Sequence, residues 1–147
     1  MMRCDISQII ICLTVVQPIC LPEPGQDYDN VTALVTGWGR LESRGSQPDI
    51  LQEVEVETMT NRACARSHGD HKITNNMICA GSQGRDACWG DSGGPLAVMG
   101  QDGSFRQIGV VSWGNGCGTP GYPGVYTRVS SLLAWIQDRI KLPSQGT

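Results

Sequence analysis

A serine set among glycines is the residue best placed to do chemistry in this sequence. The segment Asp86–Leu96 reads DACWGDSGGPL and contains Ser92. Glycines on either side allow a tight turn that exposes the hydroxyl and lets a substrate carbonyl approach the backbone closely. The amides of Gly90 and Ser92 could then point at one spot and stabilise an oxyanion. For the pentapeptide GDSGG alone, a surface turn without chemistry is an equally good interpretation.

Two other kinds of site share residues of this region. Gly90, Ser92 and Gly94 also satisfy the G-x-S-x-G elbow of α/β hydrolases, which requires a strand before the serine and a helix after it. A proline and a short apolar run follow instead. We therefore do not favour that elbow. The second alternative is a zinc site, with Cys64, His68, His71 and Cys79 as its ligands, and we do not favour it either.

The zinc alternative is weakened by the context of its four ligands. The histidines lie in a polar run, so we expect solvated loop histidines, and the cysteines suit a disulfide equally well. No metal or other cofactor is expected.

Composition indicates which kind of secondary structure must position these groups. The 147 residues carry a net charge of -3, with 19 glycines, eight prolines and 17% charged residues. Glycine and proline between short apolar runs are typical of an all-β protein with many turns. The mild acidity gives no indication of nucleic-acid binding. The longest apolar run, Ile9–Val16, is far below the roughly 20 residues of a membrane helix.

Local patterns predict strands followed by one terminal helix. In Leu51–Met59, valines alternate with glutamates, which is typical of a half-buried strand. A helix is predicted at the end because apolar residues recur at helical spacing, with Ser130 or Ser131 as its cap and Pro143 as its stop. The other predicted strands are Ala33–Trp38, Pro95–Val98, Ile108–Trp113 and Gly124–Val129, and the apolar stripe of the helix is Val129, Leu132, Leu133, Ile136 and Ile140.

The longer string DxCxGDSGGPL strongly resembles the nucleophile loop of the chymotrypsin/trypsin family of serine proteases. Ordered matches occur at residues 16–22, 35–39, 77–81, 111–114 and 123–129. The resemblance covers residues 16–142, between an atypical segment 1–15 and a tail 143–147. It implies an all-β fold, a six-stranded antiparallel Greek-key barrel with a C-terminal α-helix, which is the second barrel of the trypsin-like fold.

The resemblance also implies roles for individual residues. Ser92 would be the nucleophile, with Gly90 and Ser92 donating to the oxyanion. Asp86 would lie at the base of the specificity pocket, and a carboxylate there requires Arg or Lys before the scissile bond. The walls would be Gly114 and Gly124, and Ser112, Trp113 and Gly114 would pair with the substrate backbone. Trp89 would overhang the pocket mouth or pack on the nearby cysteines.

Seven cysteines indicate an oxidising compartment, and hence secretion. The resemblance implies the disulfides Cys64–Cys79 and Cys88–Cys117. It also implies that Cys20 tethers a propeptide or light chain, unless Cys4 or Cys12 pairs with it. Asn30 begins the sequon Asn-Val-Thr, which predicts N-glycosylation.

The sequence departs from the family where the other catalytic groups are expected. No Ala-Ala-His-Cys-like segment is present, and neither His68 nor His71 is a candidate base. Asp5 resembles the triad aspartate only faintly. The family's activation junction is missing too, so that Asp91, whose partner it would supply, has no obvious partner. We expect the first barrel to be missing.

These observations favour a trypsin-like endopeptidase that is truncated and inactive as an isolated chain. Its substrates would be peptides and proteins with Arg or Lys before the cut. One alternative is a non-enzymatic binding domain that retains only the protease surface. Another is a half-enzyme that completes its site with a partner chain.

Overall fold

The computed structural model describes residues 17–69, 72–81 and 84–140. Several predictions made above concern Asp5, Cys4, Cys12, His71, the segment 1–15 and the tail from Pro143, all of which lie outside these residues. The strands are β1 (Thr32–Gly37), β2 (Gln52–Met59), β3 (Met77–Ala80), β4 (Pro95–Met99), β5 (Phe105–Trp113) and β6 (Gly124–Arg128). The helices are α1 (Asn61–His68) and α2 (Leu133–Ile140), with a 3₁₀ turn at Val129–Leu132.

The six strands form a closed barrel in the order β1-β2-β3-β6-β5-β4, and every pairing of neighbours is antiparallel. Contact between β1 and β4 closes it, with Val35 opposite Leu96. This confirms the predicted fold class. Because closure pairs both edges of the sheet, the loops at the strand ends are left to form the functional surface.

Apolar side chains from all six strands fill the barrel. In β2, Val56 is buried while Glu53, Glu55 and Glu57 are exposed, as the alternation predicted. The central cluster consists of Tyr28, Ala33, Val35, Val56, Ile78, Ala80, Leu96, Val98, Ile108 and Tyr126.

The helix α1 is a feature that the sequence analysis missed. The Thr60 hydroxyl caps its start by accepting a hydrogen bond from the amide of Ala63 at 3.1 Å. Cys64 and His68 lie four residues apart on the face of the helix that is buried. The prediction of solvated loop histidines was therefore wrong for His68, which the helix turns into the protein.

The terminal helix exists as predicted, but its start was predicted wrongly. The chain leaves β6 through the 3₁₀ turn without a side-chain cap, and the Ser131 hydroxyl donates to the carbonyl of Asn75. Val129 and Leu133 are buried, whereas Ile140 is exposed, so the apolar stripe is shorter than predicted. No helix in the described part of the chain is long and apolar enough to cross a membrane.

Removing the side chain of Ile78 tests the barrel core. This residue is 1% exposed and packs in the central cluster. We expect Ile78→Ala to lower the free energy of unfolding by about 2–5 kcal/mol, because a cavity adds to the lost transfer energy. Urea denaturation measures the change. Ile78→Val should cost only about 0.5–1.5 kcal/mol, and equal effects of the two variants would contradict this description of the core.

Candidate active site

Ser92 lies on a tight turn between the end of a loop and the start of β4. The amide of Asp91 donates to the carbonyl of Cys88 at 3.0 Å, and that of Gly94 donates to the carbonyl of Asp91 at 2.8 Å. Gly93 donates to the carbonyl of Val111 in β5 at 3.0 Å. These bonds fix the turn to the barrel and leave the side chain of Ser92 exposed.

The carboxylate of Asp91 stabilises this turn through two hydrogen bonds. One oxygen accepts from the amide of Gly39 at 2.7 Å and the other from the amide of Cys88 at 2.9 Å. The sequence offered no obvious partner for Asp91, and in the structure two backbone amides donate to its carboxylate. A Cβ on Gly39, or on Gly37, would overlap the Asp91 side chain. Glycine at both positions is what allows the carboxylate to enter.

The two amides that could stabilise an oxyanion donate to no acceptor among the described residues. Within the described residues, neither the amide of Gly90 nor that of Ser92 donates a hydrogen bond. Gly90 adopts a φ of 106°, which favours glycine. Both residues are exposed, so their amides are open to solvent beside the hydroxyl and are suited to receive an anionic oxygen.

A disulfide braces the turn that carries Ser92. Cys88 is bonded to Cys117, which lies between β5 and β6, and Cys64 is bonded to Cys79, so both predicted disulfides are present. The amide of Cys117 donates to the Ser43 hydroxyl at 3.2 Å, which ties the loop after β1 to the same point.

A cavity of about 170 Å³ opens beside Ser92. It brings together Ser92 and the five residues predicted to bind substrate, namely Asp86, Ser112, Trp113, Gly114 and Gly124. Trp89 lines the cavity with its side chain 65% exposed, which agrees with a position at the mouth rather than packing on the disulfide.

Asp86 lines this cavity, and its two carboxylate oxygens differ in their hydrogen bonding. One oxygen accepts from the amide of Gly118 at 3.1 Å. The other oxygen is buried and has no hydrogen-bond partner in the described part of the protein. Burial raises the pKa of Asp86 to about 6. The group is therefore mostly ionised at neutral pH and lacks a counter-charge on its buried side.

Tyr126 is a functional candidate that the sequence analysis did not identify. It lines the same cavity, and its hydroxyl is buried and also lacks a partner within the described residues. Burial raises the pKa of this hydroxyl, so it stays protonated and able to donate. The signal lay in the alternation along β6, where Gly124 and Tyr126 are two residues apart and therefore share a face.

No imidazole accompanies Ser92 in the described residues. His68 is engaged instead with the carbonyl of Pro123, at 2.9 Å from its Nε2 atom. Asp5, the faint candidate for a triad aspartate, and His71 lie outside the described part. The zinc alternative is not supported, because Cys64 and Cys79 are joined to each other, and no group of potential metal ligands occurs among the described residues.

Comparison with known proteins adds an independent finding. A family model described as Trypsin matches residues 4–136. Trypsin-1 of Astacus astacus is 47% identical over 124 residues, which are 83% of this chain and 52% of that protein. Transmembrane protease serine 7 of Mus musculus is 48% identical over 128 residues, or 82% of this chain and 15% of that protein.

A third relative carries a subunit name. Clotting factor G beta subunit of Tachypleus tridentatus is 40% identical over 136 residues, which cover 84% of this chain and 44% of that protein. The chain thus spans about half the length of the shorter curated relatives that it matches.

The raised pKa of Asp86 predicts a dependence of stability on pH. Its value of about 6 in the folded chain exceeds its ordinary value of 3.8. Protonated Asp86 therefore favours the folded state below pH 4, and this contribution is lost as the pH rises through 6. We expect Asp86→Asn, which cannot ionise, to gain about 1–2 kcal/mol of stability relative to the original chain between pH 4 and pH 7, allowing for partial solvent screening.

Urea denaturation across this pH range provides the measurement. Glu55→Gln is the matched control for the loss of a carboxylate, because Glu55 is exposed on β2, and it should not reproduce the gain of Asp86→Asn. A difference for Asp86→Asn that stays flat with pH would show that its carboxylate is not held in the environment described.

Proposed function

This chain belongs to the trypsin family of serine proteases, and we propose that it carries the nucleophile and specificity pocket of an endopeptidase that cleaves after Arg or Lys. Ser92 attacks the scissile carbonyl and forms an acyl-enzyme. The amides of Gly90 and Ser92 stabilise the oxyanion. The strand residues Ser112, Trp113 and Gly114 hold the substrate backbone as an added strand.

One observation carries this proposal: a single cavity is lined by both the exposed Ser92 and the half-buried Asp86. A substrate side chain that enters the cavity would therefore leave its own carbonyl close to the hydroxyl. Proximity of this kind supplies a large part of enzymatic rate enhancement.

The chemistry of the cavity supports a cationic substrate side chain. The buried oxygen of Asp86 and the hydroxyl of Tyr126 both lack protein partners among the described residues. A guanidinium or ammonium group can donate to the carboxylate and neutralise it, which a neutral side chain cannot do. The absence of side chains at Gly114 and Gly124 leaves room for the long stem of Arg or Lys.

We further propose that the isolated chain is inactive or nearly so. A serine hydroxyl is a weak nucleophile unless a base takes its proton, and His68 is turned away into a different contact. The base and the remainder of the cleft would then come from other polypeptide. A partner chain is one source, and the subunit name of a relative is consistent with it.

Secretion and glycosylation also belong to this proposal. The two disulfides favour an oxidising compartment. Asn30 is exposed at the turn before β1, where a glycan could be attached without disturbing the barrel. The family resemblance is compatible with a secreted enzyme, although several relatives are named transmembrane proteases.

Binding of an aromatic amidine tests the specificity pocket. We expect p-aminobenzamidine to bind the purified chain about tenfold more tightly at pH 7.5 than at pH 5, because a carboxylate with a pKa of about 6 must be ionised to pair with it. Fluorescence of the ligand measures the affinity. Asp86→Asn should weaken binding by about a hundredfold or more and remove the dependence on pH. Tight binding by that variant would assign the cavity to another class of ligand.

Reaction with a fluorophosphonate tests the nucleophile. We expect the isolated chain to label at Ser92 only slowly and to leave Arg-containing peptides uncut, with Ser92→Ala as the control that shows no labelling. Rapid labelling with cleavage would contradict the proposed inactivity.

A chimera tests the endopeptidase activity itself. Joining the chain to the part of Astacus astacus trypsin-1 that the match does not cover should restore rapid labelling of Ser92 and cleavage after Arg or Lys. A chimera that binds p-aminobenzamidine, and is therefore folded at the pocket, but does not label would favour the alternative of a non-enzymatic binding domain. Cleavage after aromatic residues would contradict the proposed role of Asp86 in binding a cationic side chain.

A further inference from the structure

Asn115 and Gly116 form the only Asn–Gly pair in the sequence. They lie in a bend between β5 and β6, and both residues are exposed. An asparagine followed by glycine is prone to deamidation, because a residue without a side chain lets its backbone nitrogen approach the carboxamide before it. Gly116 has a positive φ of 83°, and Gly114 flanks the pair on the other side. The local backbone therefore offers little steric hindrance to this reaction.

The structure leaves both reacting groups of the pair available. Among the described residues, neither the carboxamide of Asn115 nor the amide of Gly116 forms a hydrogen bond. The comparable pair of Asp102 and Gly103, in the turn between β4 and β5, is restrained. There the Gly103 amide donates to a backbone carbonyl at 3.0 Å, and the Asp102 carboxylate accepts from Arg106 at 3.0 Å. No such bond holds Asn115 away from the nitrogen that follows it.

Deamidation of Asn115 requires only a base and water. Once the base has removed the amide proton of Gly116, its nitrogen attacks Cγ of Asn115 and a new N–Cγ bond forms. The Cγ–Nδ2 bond breaks, ammonia leaves with a proton, and a succinimide ring results. Water then adds to one of the two ring carbonyls, which gives aspartate or isoaspartate at position 115. In isoaspartate the main chain passes through Cβ and Cγ, so it is longer by one methylene group.

The segment that would lengthen forms part of the wall of the Asp86 cavity. Gly114, Gly116 and Cys117 all line this cavity. The chain is held directly after the pair, because Cys117 is in a disulfide and the amide of Gly118 donates to Asp86 at 3.1 Å. A change of length at position 115 therefore acts on a segment that is bonded to the carboxylate of the cavity.

The same segment has no room to absorb a longer main chain. It is held before the pair too, because Trp113 is paired with Val125 across β5 and β6. On one side of Gly116 even a single Cβ would overlap the hydroxyl of Thr119. A methylene group inserted between two held points must displace the chain, and with it the wall of the cavity.

We propose that Asn115 is a deamidation site in the wall of the Asp86 cavity, and that its isoaspartate product displaces this wall and weakens the binding of cationic side chains. The aspartate product keeps the length of the main chain, and its exposed carboxylate changes binding little. The modification itself is independent of the proposed function, whereas its effect on binding rests on that function.

Peptide mapping tests the modification in the purified chain. During incubation at 37 °C, we expect Asn115 to lose its carboxamide faster at pH 8.5 than at pH 6, because base removes the proton of Gly116. After digestion at arginine, the peptide 107–128 should gain the mass difference between an amide and an acid. Labelling by a protein isoaspartate methyltransferase should identify isoaspartate in the same peptide.

Two controls accompany the mapping. Asn115→Gln keeps a carboxamide, but its longer side chain cannot close the same ring, so the peptide should keep its mass. Asn61 serves as an internal control, because its carboxamide donates to the carbonyl of Thr74 at 2.8 Å. Retention of the carboxamide at Asn115 for as long as at Asn61 would overturn the proposed site.

Binding of p-aminobenzamidine tests the consequence for the cavity. Anion exchange separates the isoaspartate form, which carries one more negative charge. We expect this form to bind the amidine about tenfold more weakly at pH 7.5, because misplacement by about 1 Å can cost up to a hundredfold. Freshly purified Asn115→Asp, which represents the aspartate product, should bind within about threefold of the original chain.

Hydrogen–deuterium exchange gives a readout that does not depend on ligand. Because the wall is displaced, we expect faster exchange of the amides at positions 113–118 in the isoaspartate form. Asn115→Asp should exchange like the original chain.

The outcomes separate this inference from the proposed function. If the isoaspartate form shows unchanged exchange and binds the amidine as well as the original chain, its effect on the cavity is overturned. If the original chain binds no better than Asp86→Asn, the proposed substrate class is overturned, while mapping still decides the site and exchange decides the displacement. Isoaspartate at position 115, with weaker binding and faster exchange in that form alone, supports the proposal.

Discussion

The geometry around Ser92 depends on one partly buried interaction, the carboxylate of Asp91 bound by the backbone amides of Gly39 and Cys88. Hydrogen bonds to an ionised group each contribute about 1.5–3 kcal/mol, roughly twice the value for neutral groups. The pair of bonds joins the loop after β1 to the turn that carries Ser92, across 52 residues of sequence. Without it, the turn would be held from one side only, by its bonds to β5 and the disulfide at Cys88.

The sequence predicted the features that depend on neighbouring residues and missed those that depend on distant ones. The strands of the barrel, both disulfides and the residues around the cavity follow from alternation and from a family resemblance concentrated in short motifs. The partners of Asp91 could not be read locally, because they are main-chain amides of another loop. The helix α1 is only eight residues long and mostly polar, so its periodicity is weak, although the Thr60 cap was a readable signal. Because this helix was missed, His68 was predicted to be a loop residue.

Buried polar atoms without partners are a feature of the proposed pocket, but they alone do not distinguish it from the rest of the barrel. One oxygen of Asp29 is also buried without a hydrogen bond, yet it lies 3.7 Å from the guanidinium of Arg128, which partly compensates its charge. Asp86 has no such cation beside it in the described residues, and its orphaned oxygen shares a cavity with the hydroxyl of Tyr126. An uncompensated carboxylate costs stability. Its retention beside an open cavity is therefore better explained by binding than by folding.

The turn of Ser92 and the wall of the cavity are supported by different contacts. The turn is held by Asp91 and by bonds to β5, whereas Pro123, beside the wall at Gly124, is hydrogen-bonded to His68 of α1. The Cys88–Cys117 disulfide joins the two, because Cys88 belongs to the turn and Cys117 to the segment that leads into the wall. A covalent link of this kind limits how far the turn can move relative to that segment.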